Sequence, residues 1–146
     1  MRLLHLASVT LLMSTCRAGH PMTNLCDCSL PVYIDEIGLY VSAADLCSPN
    51  GLVLSDSTLA TFKVQSCEGD FEVTVTNRRT GRVYLHGRYA PVARTFSRYA
   101  FIETLDGSGP VKVRVEEYYY PLKEGLWHRY NPITGETNEE RYHYVL

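Results

Sequence analysis

The sequence predicts a small α+β domain that is rich in strands, carries one helix and is stapled by disulfides in its N-terminal part. Apolar and polar residues alternate in several short runs, which is the pattern of half-buried strands. Four cysteines fall between residues 19 and 67, and residues 90–105 follow a near-helical spacing. A chain of 146 residues holds one domain and is too short for two well-cored ones. An all-β sandwich is the alternative, because part of 90–105 also fits a strand.

The first 18 residues are typical of a secretory signal peptide. Met1 and Arg2 form a short basic start, residues 3–13 are uncharged and mostly apolar, and small residues flank a cleavage site after Ala18. The apolar run is shorter than the roughly 20 residues that a membrane-spanning helix needs. We therefore expect one secreted domain over 19–146, with no membrane span of its own.

The mature chain is acidic but its charge is uneven. Removing Arg2 and Arg17 leaves a net charge of −4, because all 16 acidic residues remain. Such a chain has no bulk attraction to nucleic acid, so no nucleic-acid partner is predicted. The basic residues concentrate between 74 and 114, either as a solvated surface or as a patch facing a partner or a glycan: Arg78, Arg79, Arg82, Arg88, Arg94, Arg98, Lys112 and Arg114.

The four cysteines of the mature chain predict two disulfides. They are Cys26, Cys28, Cys47 and Cys67, and an even count in an oxidising compartment is typical of a disulfide framework. Cys26 and Cys28 are too close to bridge each other without strain. Each is therefore expected to pair with Cys47 or Cys67, and residues 19–67 form the stapled part.

Strands are predicted along most of the mature chain. They cover 32–34, 37–41, 52–54, 60–64, 71–76, 83–85 and 111–120, and a hairpin pairs 127–130 with 141–145 around the loop 131–136. The helix is predicted over 90–105, between Pro91 and a Gly/Pro-rich stretch. No internal repeat is evident. Residues 111–146 form a strand-rich tail whose rings either fill one side of a sheet or make a contact patch: Tyr118, Tyr119, Tyr120, Trp127, Tyr130, Tyr142 and Tyr144.

The sequence carries no motif for catalysis, cofactor binding or metal binding. Its mature histidines are His20, His86, His128 and His143, and none has a ligand-type residue at a metal-site spacing. We predict a non-enzymatic protein that needs no cofactor and no metal. A small secreted hydrolase is a third hypothesis, and it would require a pocket with a base and a nucleophile.

The order of signal peptide, close cysteine pair, single cysteine and strand-linked cysteine resembles herpesvirus glycoprotein L, in particular its gammaherpesvirus form. Two stretches carry the resemblance: Ile37-Gly38-Leu39-Tyr40-Val41-Ser42 before Cys47, and Phe62-Lys63-Val64-Gln65-Ser66-Cys67-Glu68-Gly69. The predicted helix ending in Ile102-Glu103-Thr104-Leu105 also falls at about the family's distance from the last cysteine. The resemblance covers roughly residues 26–105. It departs from the family at Asp27, which separates two cysteines that tend to be adjacent there, and in the tail.

The resemblance implies a viral envelope subunit that binds and chaperones the membrane glycoprotein H and supports membrane fusion during entry into the host cell. It also implies a place at the virion envelope and host cell surface, contact with a host receptor, and the pairs Cys26–Cys47 and Cys28–Cys67. Under this hypothesis, apolar strands meet the partner and a basic face adds a second surface. The expected contact residues are Leu25, Leu30, Val32, Ile34, Ile37, Leu39, Val41, Arg94 and Arg98.

A stand-alone secreted immunoglobulin-like β-sandwich is the alternative, acting in immune evasion or in binding a host protein. The two hypotheses differ at residues 90–105. A helix there favours the glycoprotein L hypothesis, and a strand favours the stand-alone module.

Overall fold

A computed structural model of the chain describes residues 29–66, 69–102 and 112–144. The predicted signal peptide, Leu25, Cys26, Cys28 and Cys67 lie outside these residues. Cys47 is the one cysteine within them, and it takes part in a disulfide. The pairings implied by the resemblance stay predictions.

The described chain is mostly β, as the sequence predicts, with one short helix. The predicted strand regions contain strands, although several boundaries move, and the loops 77–81 and 131–136 form turns. The predicted pairing of 127–130 with 141–145 is wrong, because 127–130 pairs with 137–140. The elements are β1 Val32–Ile34, β2 Leu39–Val41, α1 Ala43–Leu46, β3 Leu52–Ser55, β4 Thr58–Val64, β5 Phe71–Asn77, β6 Val83–Ile102, β7 Lys112–Tyr130 and β8 Thr137–Tyr142.

The predicted helix over 90–105 is wrong as far as the structure describes it, because residues 90–102 belong to β6. Aromatic and β-branched side chains favour a strand here, and β7 supplies a continuous partner from Ala93 to Ile102. Pro91 lies where the register between β6 and β7 shifts. Its missing N–H is tolerated at such an irregularity.

The helix that does form, α1, was not predicted. Ser42 begins it as the N-cap, and the Asp45 N–H donates to the Ser42 hydroxyl over 3.2 Å. The Ser42 hydroxyl donates in turn to the Asp45 carboxylate over 2.7 Å. This reciprocal pair resembles a capping box, and Leu46 at the end of the helix is buried.

All described strands belong to one sheet in the order β2-β1-β7-β6-β5-β4-β3, with β8 also paired to β7. Strands β3 to β7 follow one another as an antiparallel meander. Strand β1 joins β7 in parallel, with Val32 opposite Tyr119. Strand β8 joins the same edge of β7 farther along, from Gly125 to Tyr130. The described strands are therefore hydrogen-bonded into a single sheet, and this mostly-β architecture is also compatible with the all-β alternative.

The hydrophobic core lies on one face of this sheet, which we call the inner face. Its buried cluster consists of Val32, Ile34, Val41, Leu46, Ala60, Phe71, Val73, Val75, Leu85, Tyr89 and Trp127. Trp127 packs directly over Gly87, and its indole N–H donates to the Arg88 carbonyl over 3.1 Å. The opposite side of the sheet is called the outer face.

Two turns of the sheet have the same hydrogen-bond pattern, and this similarity was not predicted from the sequence. In the β5–β6 turn, Asn77 accepts from the N–H groups of Arg79 and Thr80. In the β7–β8 turn, Asn131 accepts from those of Ile133 and Thr134. Both turns close on a glycine with positive φ, Gly81 at 70° and Gly135 at 76°. The shared signal is Asn-x-x-Thr-Gly, a pattern too short to stand out in the sequence.

Candidate functional site

The β6–β7 hairpin extends beyond the other strands that the structure describes. Its strands pair continuously from Ala93 opposite Pro121 to Ile102 opposite Lys112. The last pair between β5 and β6 is at Arg88, and β1 meets β7 at Tyr119. Residues 94–102 and 112–120, which we call the arm, therefore have few neighbours besides each other among the described strands.

The inner face of the arm carries exposed apolar side chains. Tyr99 is 73% exposed, Val115 is 58% exposed and Val113 is 52% exposed. Tyr99 lies opposite Val115, and paired residues share a face. These three residues, the apolar strip, continue the face that buries Tyr119 against the core. Apolar residues clustered outside a core are typical of an interaction surface.

The outer face at the base of the arm carries an aromatic cluster of Tyr33, Tyr40, Phe96, Tyr118 and Tyr120. The ring centres of Tyr33 and Tyr40 lie 4.7 Å apart, and those of Tyr40 and Tyr118 lie 5.0 Å apart, edge to face. Phe96 packs at 6.0 Å from Tyr118 and 5.7 Å from Tyr120. Such edge and offset contacts stabilise the cluster beyond its burial, and they fix the β1–β2 hairpin against β7.

Arg98 ties this cluster to the arm. Its guanidinium lies 3.6 Å from the ring centre of Tyr40 and donates to Glu116 over 2.9 Å and 2.6 Å. Arg114 also donates to Glu116. Hydrogen bonds from Arg114 and Arg98 lower the pKa of Glu116, so this carboxylate stays charged. Arg94 lies on the same face, because it pairs with Tyr120. Its side chain is exposed.

A groove of about 440 Å³ opens beside the aromatic cluster, a size within the range of small-molecule sites. Its base is Glu36, whose side chain is 1% exposed and forms an ion pair with Lys123. Tyr89 donates its hydroxyl to the same carboxylate. Lys123 also lies 4.8 Å from the ring centre of Tyr142, so its charge is held on two sides.

Three groups of this groove, Tyr89, Lys123 and Tyr120, have raised pKa values. Burial and the neighbouring Glu36 raise the pKa of Tyr89 far above its ordinary value. Burial alone would lower the pKa of Lys123, but the ion pair with Glu36 outweighs it and raises that pKa. The hydrogen bond to Asp35, together with burial, raises the pKa of Tyr120 to about 12. None of these groups is therefore a ready proton acceptor at neutral pH.

The predicted partner-binding residues are separated by the fold. Val32, Ile34 and Val41 are fully buried in the core, and Ile37 packs against it. Their side chains cannot meet a partner unless the chain opens. Leu30 is half-buried, whereas Leu39 is 42% exposed. Arg94 and Arg98 do share a face, but as alternate positions of a strand rather than of a helix.

Sequence reasoning missed the constellation of Glu36, Tyr89 and Lys123, because these residues come from three distant parts of the chain and form no local motif. It also missed the apolar strip, because Tyr99 was assigned to a helix. No group of His, Cys, Asp or Glu that could hold a metal occurs within the described residues. Within the same residues, no helix has the length and apolarity to cross a membrane.

No protein-family model matches this chain, and neither does any curated protein or solved structure. The resemblance to glycoprotein L therefore stays a prediction. The functional argument depends on the geometry of the arm and of the outer face.

Proposed function

We propose that this protein is a secreted, non-enzymatic binding module that engages a partner protein through the apolar strip of the arm. The observation that carries this proposal is the exposure of Tyr99, Val113 and Val115 on the continuation of the core-bearing face. Burying such side chains against a partner removes apolar surface from water, which is the main driving force of protein association.

The arm suits a docking role because it is stiff at its base and open at its sides. Arg98 and Arg114 converge on Glu116, and the aromatic cluster holds the outer face. A preorganised surface loses little conformational entropy when it binds. Tyrosine is also among the residues that dominate binding energy in protein interfaces.

The absence of catalysis is part of this proposal. It is supported by the groove, where Glu36 is neutralised by Lys123 and Tyr89 is held protonated. A hydrolase would need a nucleophile beside a competent base. The groove instead ties the β1–β2 turn to β6 and β7.

Two forms of the binding module follow from the sequence hypotheses. The strand at residues 90–102 favours the stand-alone secreted module that recognises a host protein. The form that resembles glycoprotein L, a subunit chaperoning glycoprotein H during viral entry, is supported by the cysteine order and by the participation of Cys47 in a disulfide. Both place the partner on an exposed apolar surface.

Co-expression separates these two forms. The tagged full chain is expressed alone and with the glycoprotein H-like large membrane protein of the same source, and secretion and surface display are measured. If the chain is secreted as a stable monomer when it is expressed alone, and the trafficking of the large protein is unchanged, the stand-alone module is supported. If the chain is retained in the cell when it is expressed alone, and both proteins reach the surface when they are expressed together, the chaperone subunit is supported.

The docking surface itself is tested with the double variant Tyr99→Ser/Val115→Ser. The matched control is Ile133→Ser, because Ile133 is 92% exposed in the β7–β8 turn, away from the arm. Flow cytometry with the purified full chain on host cells measures binding. We expect the double variant to lose about tenfold or more in affinity while the control keeps its affinity. Equal affinity of all three proteins would refute the role of the strip.

A further inference from the structure

The sheet sorts charge by face, and the outer face collects cations. Paired residues share a face, so the strand registers assign each side chain. Among the described residues, the outer face carries seven cationic side chains, namely Lys63, Arg82, Arg88, Arg94, Arg98, Arg114 and Arg141, and four carboxylates on its strands, Glu72, Glu116, Glu124 and Glu139. Two more carboxylates reach this face from neighbouring turns, because Asp70 pairs with Arg88 and Asp35 accepts from the Tyr120 hydroxyl. The whole chain has a net charge of −2. Seven cations against six carboxylates leave the described outer face slightly positive on a protein that is negative overall.

Two arginines lie at the ends of a stretch of the outer face, residues 82–94, whose middle is balanced in charge. In its middle, Lys63, Glu72, Arg88 and Glu124 alternate in sign across four neighbouring strands. At one end lies Arg82, and at the other lies Arg94. Neither has a carboxylate partner among the described residues.

These two arginines are twelve positions apart in the sequence, which corresponds to at most about 40 Å in an extended strand, and the register shifts between them shorten this span. A single small anion cannot contact both. A linear polymer with repeated anionic groups can.

Aromatic rings accompany both arginines. Arg82 lies 4.7 Å from the ring centre of Tyr130, and Tyr130 stacks on Tyr84 with ring centres 6.0 Å apart. Two shallow grooves of about 480 Å³ and 460 Å³ flank this stack. Arg94 lies opposite Tyr120, within reach of the aromatic cluster. The stacked histidines His86 and His128 lie between the two ends.

We propose that the outer face binds a linear anionic polysaccharide that carries sulfate and carboxylate groups. The planar guanidinium of arginine matches such oxyanions with paired hydrogen bonds. Tyrosine rings offer flat apolar faces with a polar hydroxyl, which suits the ring faces of sugars.

The experiment measures binding of a heparin dodecasaccharide to the full chain by calorimetry at about 0.15 M salt. The test variant is Arg82→Gln/Arg94→Gln. The matched control is Arg79→Gln/Arg129→Gln, which removes the same charge from the β5–β6 turn and from the inner face. Thermal unfolding of each variant checks that the fold is intact.

We expect the test variant to lose about tenfold or more in affinity and the control to change by less than about twofold. A desulfated dodecasaccharide should bind much more weakly than the sulfated one. The apolar-strip variant Tyr99→Ser/Val115→Ser should bind heparin as the unmodified chain does, so this test is independent of the proposed protein partner.

Three outcomes overturn the inference. Equal losses in the test and control variants mean that only the net charge acts. Tighter binding of a single-stranded oligothymidine than of heparin assigns the face to nucleic acid. No measurable heparin binding by the intact chain removes the site altogether.

Discussion

Replacing Gly87 by alanine should destabilise the fold by about 2–4 kcal/mol. A β-carbon at this position would lie 2.1 Å, 2.3 Å and 2.4 Å from three ring atoms of Trp127. All three distances are far below van der Waals contact, so the indole must move. Overpacking of this kind costs about 1–3 kcal/mol. Displacing Trp127 also weakens its hydrogen bond to Arg88, worth about 1 kcal/mol, and its edge contact with Tyr89 at 5.0 Å.

Urea unfolding followed by tryptophan fluorescence measures this loss directly, because Trp127 is the one tryptophan of the chain. Unfolding followed by circular dichroism provides the same comparison in the background Trp127→Leu, where the ring that would clash is absent. In that background, Gly87→Ala should cost less than about half as much, since the two sites share one contact. A cost below about 0.5 kcal/mol in the unmodified chain, or the same cost in both backgrounds, would refute the packing argument.

Three further predictions concern the groove, the pH dependence and the repeated turns. Glu36→Gln should lower the free energy of unfolding in urea by about 2–3 kcal/mol, because it leaves the partly buried Lys123 without its counter-ion; a change below about 0.5 kcal/mol would contradict the ion pair. The pKa of Tyr120 is raised to about 12, so its contribution to stability is complete below its unfolded value of about 10 and is lost as pH rises toward 12. Unfolding of the unmodified chain should therefore become easier over that window more steeply than in Tyr120→Phe, and parallel pH curves would argue against it. Asn131→Ala should cost about 1 kcal/mol in thermal unfolding, because it removes two turn hydrogen bonds. Asn77→Ala should cost more, because it also removes the hydrogen bond that Asn77 donates to the Tyr84 hydroxyl over 2.7 Å, and the double variant should show the sum; a larger cost at Asn131 than at Asn77 would contradict this.

Much of the strand pattern was predictable, because alternation is a local property of the sequence. Val73 and Val75 alternate with Thr74 and Thr76 in β5. As the alternation predicts, the valines are buried and the threonines are only half-buried. The wrong helix arose where local patterns are ambiguous. The apolar residues of 90–102 are compatible with both periods, and pairing with β7, which is distant in sequence, decided the outcome in favour of a strand.

The candidate sites were less predictable than the strands, because they depend on which strands become neighbours. The basic block between 74 and 114 was visible in the sequence, but its concentration on one face follows only from the registers of β6 and β7. Likewise, Val32 and Ile34 were predicted to contact a partner because they lie on an apolar strand. Their burial became evident only from the pairing of β1 with β7.

The parallel contact between β1 and β7 has a consequence for how the chain is made. Val32 meets Tyr119 across most of the length of the protein, so β1 emerges from the ribosome long before its neighbour exists. Contacts of such wide sequence separation form late and slow the folding of the whole domain. Until β7 arrives, the apolar side chains of β1 stay open to folding helpers and to aggregation. A nascent chain stalled before Tyr119 should therefore remain bound to a chaperone and sensitive to protease in its first strands, and completion of β7 should release both.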